Sequence, residues 1–83
     1  MINSATLNDV EVGEKARVCS LLSEGAVRRR LLDIGLVENT DVECVGRSPL
    51  GDPSAFLIRG AVIAIRSEDC EKILVETAKT GAI

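Results

Sequence analysis

The shortness of the chain constrains its fold more than any other feature. Its 83 residues are enough for one domain and too few for two. A domain of this size buries only about 60% of the surface that its unfolded chain exposes. Nearly every apolar segment must therefore enter the core, which leaves little room for an enclosed catalytic cavity. No repeat, linker or low-complexity segment interrupts the sequence, so we expect a single domain over residues 1–83.

The scarcity of aromatic side chains narrows the choice of function. Phe56 is the only aromatic residue, so the core must be built from Val, Ile, Leu and Ala. Proteins that bind single-stranded nucleic acid stack bases on aromatic rings, and proline-rich peptides dock in grooves lined by such rings. The net charge of −3 also opposes general binding to phosphate backbones. We therefore expect no nucleic-acid partner.

The sequence carries no feature that directs it into or across a membrane. No apolar run approaches the roughly 20 residues that span a bilayer. The first four residues lack the basic stretch and apolar run of a signal peptide. Three widely spaced cysteines, Cys19, Cys44 and Cys70, suit reduced thiols better than a disulfide framework. These observations predict a cytoplasmic protein without direct membrane insertion.

The first half of the chain contains one strand pattern and one helix pattern. Residues 7–10, followed by Gly13, predict a short helical turn, and alternation over residues 15–22 predicts a strand. Residues 23–25 offer a turn and an N-cap. Val27, Leu31 and Ile34 then recur at helical spacing, which predicts an amphipathic helix over residues 26–34. Gly35 follows where a left-handed C-cap belongs.

The second half reads as short strands separated by turns. Residues 40–46 predict a strand with Val42 and Cys44 inward, and the two prolines of residues 49–53 predict a rigid turn. Residues 55–58 and 62–65 predict two strands joined by a tight hairpin at residues 59–60.

A second helix is predicted at the carboxyl end. Ser67 would be its cap, followed by two acids in the first turn. The inward stripe would be Cys70, Ile73, Leu74 and Thr77, and Gly81 would end the pattern.

These elements predict an α+β fold that is mainly β. It is a small barrel of about five strands, with an amphipathic helix inserted after the first strand and a C-terminal helix.

Several ordered motifs in this arrangement resemble the FeoA family, the ferrous iron transport protein A family. They are, in chain order, Leu7 with Gly13-Glu14-Lys15-Ala16-Arg17-Val18, Arg28-Arg29-Arg30-Leu31-Leu32-Asp33-Ile34-Gly35-Leu36, Pro49-Leu50-Gly51-Asp52-Pro53, Arg59-Gly60, Ile65-Arg66 and Glu71-Lys72-Ile73. The resemblance covers about residues 6–76. One departure is Ala61, where the family often has a larger or aromatic residue after Arg-Gly.

The resemblance implies an SH3-like barrel that accompanies FeoB, a membrane iron transporter with a cytoplasmic GTP-binding domain. It further implies a non-catalytic regulatory protein of ferrous iron uptake that binds the cytoplasmic region of the transporter. A domain of this kind also ends iron-dependent repressors, so a metal-responsive or metal-binding domain is the alternative. A small barrel that binds nucleic acid is third. The sequence leaves the oligomeric state open, a weak homo-oligomer included.

The partner-binding surface is predicted to combine the arginine-bearing helix with the proline turn. Its residues are Arg28, Arg29, Arg30, Asp33, Leu36, Pro49, Leu50, Gly51, Asp52, Pro53 and Arg59. Three consecutive helical positions cannot all face one site. The simpler alternative is a solvated helix face with a local ion pair to Asp33. A narrower version makes one arginine an arginine finger on the transporter's GTP-binding domain.

The residue types present do not predict catalysis or a resident metal. The chain has no histidine, so neither a Ser–His nor a Cys–His pair can form. Neither a phosphate-binding glycine loop nor closely spaced Cys and His ligands are present. Cys44 and Cys70 fall on inward stripes, whereas Cys19 alternates outward. We expect no enzyme activity, no cofactor and no metal ligand set.

Overall fold

The computed structural model describes residues 5–77. In chain order its elements are β1 (Ala5–Thr6), a 3-10 helix (Leu7–Asp9), β2 (Lys15–Leu21), α1 (Gly25–Asp33), β3 (Asp41–Arg47), β4 (Ser54–Ile58), β5 (Ala61–Ile65), α2 (Ser67–Cys70) and β6 (Ile73–Thr77). The mainly β fold with an inserted helix is confirmed. That helix follows the second strand, because the two-residue β1 precedes the strand predicted as the first.

The six strands form one antiparallel sheet in the order β1-β6-β2-β3-β4-β5. Consecutive strands from β2 to β5 are neighbours, and β6 returns to pair with β2 on its other side. Register shifts interrupt β2 between Val18 and Ser20 and β3 between Cys44 and Gly46. Such irregularities bend a strand and increase its twist, which curves the sheet around its core.

The core is aliphatic and is built around the single phenylalanine. Phe56 is fully buried, as are Leu7, Leu36, Ile58 and Ile73. Alternate residues of β4 point inward, so Ser54, Phe56 and Ile58 are buried while Ala55 and Leu57 are not. The predicted inward positions Val42 and Cys44 of β3 are confirmed.

Helix α1 ends in the glycine cap that the sequence predicts. Gly35 has φ +95°, and its N–H donates to the Leu32 carbonyl at 3.0 Å. The Leu36 N–H donates to the Leu31 carbonyl, also at 3.0 Å. This pair of bonds is the Schellman arrangement, in which an apolar residue after the glycine folds back onto the last turn.

The amino end of α1 differs from a serine-capped helix. The N-cap residue is Glu24, and no side chain caps the helix. The Ser23 hydroxyl is buried and has no hydrogen-bond partner among the described residues.

The predicted C-terminal helix is wrong beyond its first turn. A helix begins at Ser67, but its N-cap is Arg66 rather than the serine, and it ends at Cys70. Residues 73–77 form β6, between β1 and β2. Ile73, Val75 and Thr77 are buried and alternate with Leu74 and Glu76, which is the period of a strand.

The misprediction has a physical origin in the spacing. Cys70, Ile73, Leu74 and Thr77 also fit helical spacing, so a short apolar run is ambiguous. Pairing with β2 makes residues 73–77 a strand, and β-branched residues favour the strand conformation. The sheet therefore has six strands rather than about five. The predicted end at Gly81 lies outside the described residues.

Candidate interaction site

The three consecutive arginines of α1 are all exposed, but they are not equivalent. The Arg28 guanidinium turns back to β2, where Nη1 donates to the Leu21 carbonyl at 2.9 Å. Arg29 and Arg30 form no hydrogen bond or ion pair with the described residues. Arg28 therefore ties the helix to the sheet, while the charges of Arg29 and Arg30 are available to a partner.

The local ion pair considered for Asp33 does not form. Asp33 is exposed in the last turn of α1 and makes no ion pair with Arg29 or Arg30. A carboxylate at the carboxyl end of a helix also lies at the negative end of the helix dipole. Asp33 therefore forms no ion pair that would hold Arg29 or Arg30 in place.

The structure corrects the prediction for Leu36. Its side chain is fully buried and belongs to the core cluster, so it cannot touch a partner directly. The Schellman arrangement of α1 places it there. Thr40 closes the same loop, since its Oγ1 donates to the Gly35 carbonyl at 3.1 Å.

Arg59 reaches the carboxyl end of α1 from the β4–β5 hairpin. Arg59 and Gly60 have φ values of +50° and +85°, which is the left-handed backbone of a two-residue hairpin turn. The Arg59 Nε donates to the Gly35 carbonyl at 3.2 Å. A cation at the carboxyl end of a helix is favourable, because unpaired carbonyls concentrate negative charge there. We call Arg28, Arg29, Arg30 and Arg59 the arginine cluster.

The proline turn is a self-contained loop with one apolar side chain in solvent. Leu50 is 94% exposed at its tip. Below the tip, the Gly51 N–H donates to the Ser48 carbonyl at 2.7 Å, and the Ser48 hydroxyl donates to the Asp52 carbonyl at 2.9 Å. Pro49, Gly51, Asp52 and Pro53 are exposed as well.

The Asp52 side chain has a structural partner of its own. Its carboxylate accepts the backbone N–H of Ser67 at 2.9 Å and the Ser67 hydroxyl at 3.2 Å. The proline turn is thereby fixed to the start of α2.

The two parts of the predicted surface lie apart. The proline turn precedes β4 and the hairpin of Arg59 follows it, so the two occupy opposite ends of a five-residue strand. At about 3.3 Å per residue, that separation is roughly 15 Å. The arginine cluster and the proline turn are therefore two separate regions of the surface.

The structure contains a groove beside Arg59 that the sequence did not predict. It has a volume of about 570 Å³, and its lining includes Lys15, Arg17, Asp41, Glu43, Leu57, Arg59 and Glu76. The register explains its charges, since Lys15 lies opposite Glu43 and Arg17 opposite Asp41. The Arg17 Nε lies 3.2 Å from Asp41 Oδ1. The outward positions of the two predicted strands were visible in the sequence, but their alignment was not.

The cysteines occupy the positions that their patterns predict. Cys44 and Cys70 are buried, and burial together with nearby Asp69 raises the pKa of Cys70 to about 12. Cys19 is partly accessible, and its thiol lies 3.8 Å from Glu76 Oε2. Burial and the Glu76 charge raise the pKa of Cys19. Both thiols are therefore poor nucleophiles at neutral pH.

Residues 5–77 contain neither a metal ligand set nor a membrane-spanning helix. Among residues 5–77, no three His, Cys, Asp or Glu side chains converge as a ligand set. None of the described helices has the length and apolar character required to cross a bilayer.

Comparison with known proteins gives a family and a set of similar structures. The FeoA domain model matches residues 5–77. A fusion protein of Fe(2+) transport protein A and Fe(2+) transporter FeoB from Porphyromonas gingivalis is 30% identical over 76 residues, or 92% of this chain. The chain spans only 9% of the length of that fusion protein.

Two of the similar solved structures are FeoA proteins. The FeoA protein of Chlorobium tepidum has a TM-score of 0.84 at 36% identity, covering 88% of this chain and 70% of its own. The zinc complex of FeoA from Stenotrophomonas maltophilia has a TM-score of 0.78 at 25% identity, covering 92% and 93%. The latter is described as a prokaryotic SH3 domain protein possibly acting as a ferrous iron transport activating factor. The predicted SH3-like fold is confirmed.

Proposed function

Because the chain belongs to the FeoA family of ferrous iron transport proteins, we propose that it is a non-catalytic accessory module that binds the cytoplasmic region of a FeoB-type transporter. In this role it would act in the cytoplasm, as one domain over residues 1–83. Its contribution to iron uptake would be regulatory or organisational.

The observation that carries this proposal is the fused relative. In the Porphyromonas gingivalis protein, a sequence similar to 92% of this chain shares one polypeptide with FeoB. Fusion holds two modules at a high effective concentration, which favours even a weak contact between them. A separate chain with the same fold would need that contact to be a specific docking surface.

The arginine cluster is the surface that we assign to this contact. Arg29 and Arg30 are exposed and have no partner among the described residues, although the chain as a whole is acidic, with a net charge of −3. Guanidinium groups bind carboxylates and phosphates in a bidentate manner. The arginine cluster thus fits an acidic surface on the transporter, and the groove next to Arg59 extends the contact area.

The proline turn supplies a second contact of a different kind. Leu50 is 94% exposed on a loop that internal hydrogen bonds hold in place. An apolar side chain on a preordered loop costs less entropy to cover than one on a flexible loop. Two separated regions, one cationic and one apolar, would fix the orientation of the module on its partner.

The proposal is tested by measuring the affinity of the chain for the purified cytoplasmic domain of the cognate transporter. The double substitution Arg29→Glu and Arg30→Glu should weaken binding by more than about tenfold, or about 1.4 kcal/mol. Lys72→Glu is the control for a charge reversal elsewhere on the surface, since Lys72 is an exposed cation in the turn between α2 and β6. Equal affinity for the double variant and the control would contradict the role of the arginine cluster.

A further inference from the structure

Strand β5 forms one outer edge of the sheet. It pairs with β4 on one side only, from Ile58 opposite Ala61 to Ser54 opposite Ile65. The two residues that flank a two-residue hairpin turn form a hydrogen-bonded pair. The N–H and C=O groups of positions 62 and 64 therefore point away from β4. Within residues 5–77, no strand pairs with this side of β5.

The sequence of β5 lacks the features that protect natural edge strands. Its five residues, Ala61–Ile65, include no charged residue, proline or glycine, and its pairing with β4 is regular. Edge strands of monomeric proteins usually carry a lysine, a proline or a bulge, are very short, or are covered by a helix or loop. The opposite edge, β1, is two residues long. Within the described residues β1 is short, whereas β5 has none of these sequence features. Helix α1 lies beside β5, and Val27 and Arg30 line a crevice of about 70 Å³ with Ile63 and Ala64.

The side chains beside this edge are apolar. Val62 is 64% exposed and lies opposite Leu57, while Ala64 lies opposite Ala55. Alternate residues of a strand share one face, so these four side chains form an apolar strip on the outer face of β4 and β5. A strand added to β5 would extend the strip and cover Val62.

We propose that β5 pairs with β5 of a second copy of this chain, antiparallel and centred on Ile63. In this register, Val62 of each copy lies opposite Ala64 of the other. These are the two positions whose backbone groups point to the open edge. The contact therefore forms two hydrogen-bonded residue pairs and continues one sheet, with its apolar strip, across both copies.

In this orientation, the charges that flank β5 in one copy lie near opposite charges of the second copy. Arg59 precedes the strand, whereas Glu68 and Asp69 follow it. With Ile63 at the centre, the first residue of β5 in one copy lies opposite the last residue of β5 in the other. Arg59 then approaches the end of the strand that carries Glu68, and symmetry repeats the contact. Arg66 offsets part of this attraction, since it lies 3.7 Å from Glu68 in its own chain.

Sedimentation of the chain alone tests this proposal independently of the transporter. Wild-type protein should show a concentration-dependent equilibrium between monomer and dimer. Val62→Lys should raise the dimer dissociation constant by more than about tenfold, because it brings two like charges to the shared edge. Val12→Lys is the matched control, since Val12 is 56% exposed in the loop before β2. It should sediment as wild type does.

Exchanging the charges of Arg59 and Glu68 distinguishes pairing in this register from other contacts between two copies. Arg59→Glu should weaken the dimer, and adding Glu68→Arg should restore part of the loss. A wild-type chain that stays monomeric at all concentrations would overturn the proposal, as would a Val62→Lys variant that dimerises normally. If wild type is monomeric and Val62→Lys abolishes binding of the transporter domain, the edge takes a strand of that partner and the second-copy proposal is wrong.

Discussion

The carboxylate of Asp52 accepts two hydrogen bonds from Ser67, at 2.9 Å from its backbone N–H and 3.2 Å from its hydroxyl. Ser67 is the first residue of α2, where the N–H groups have no partner within the helix. The Asp52 side chain therefore caps α2, although Asp52 precedes Ser67 by fifteen residues. The turn that we assign to partner contact is fixed in place by this bond.

Replacing Asp52 should loosen α2. Asp52→Ala removes the acceptor and leaves the Ser67 N–H without a partner, which should cost about 0.5–2 kcal/mol, as for loss of an N-cap. Asp52→Asn keeps an acceptor oxygen and should cost less. Urea unfolding of the two variants measures the difference. Equal losses would show that charge, rather than the hydrogen bond, accounts for the contribution of Asp52.

Leu50→Asp should leave the fold intact. Leu50 is 94% exposed, and substitutions at such positions usually change stability by less than about 0.5 kcal/mol. The same change should weaken binding to the transporter domain, because it places a charge on the apolar contact. Thermal unfolding and a binding titration on one preparation test both statements. A lower melting temperature would show that Leu50 packs against the fold, and unchanged affinity would remove it from the interface.

Gly35→Ala should destabilise the end of α1. Gly35 has φ +95°, where a residue with a Cβ is strained by roughly 1–2 kcal/mol. A Cβ at this position would also lie 2.5 Å from Arg59 Cδ, so the arginine must move and lose its bond to the helix. In an Arg59→Ala background only the backbone strain remains. Gly35→Ala should therefore cost less there than in wild type, and equal costs in both backgrounds would contradict a contact between the two residues.

The reactivity of Cys19 should depend on Glu76. Burial and the Glu76 carboxylate raise the pKa of this thiol, so little thiolate exists at pH 8. Glu76→Gln removes the negative charge, lowers the pKa and increases the thiolate fraction. Alkylation of Cys19 should then be faster at pH 8 in the variant than in wild type. The two rates should converge as the pH rises above the pKa of Cys19 in both proteins. Glu71→Gln, at an exposed position outside the sheet, is the control. An unchanged rate in Glu76→Gln would show that the Glu76 carboxylate does not contribute to the raised pKa of Cys19.

Residue type and spacing within short segments predicted most of the fold, because neighbouring residues define most of its elements. The glycine that ends α1 and the hairpin at Arg59-Gly60 both follow from residue type and spacing. The inward alternation of β3 follows from period-two burial. Residues 73–77 are the counterexample, since their spacing fits a helix and only pairing with β2 makes them a strand.

The candidate site could be predicted only in part, because it depends on distances between segments. Exposure of Leu50 follows from its place in a turn. Burial of Leu36 was missed, although Gly35 predicted the cap that folds it inward. The groove depends on the alignment of β2 with β3, and nothing within either segment specifies that alignment.

The proposed function depends on binding of this chain to the cytoplasmic region of a FeoB-type transporter. The most direct test is an amide NMR titration of isotope-labelled chain with the purified cytoplasmic domain, run separately with GDP and with a GTP analogue. We predict shift changes confined to α1, the Arg59 hairpin and the proline turn, and a stronger effect in one nucleotide state if an arginine reaches the nucleotide site. A spectrum that stays unchanged at high concentrations of the domain, in both nucleotide states, would contradict binding to the transporter.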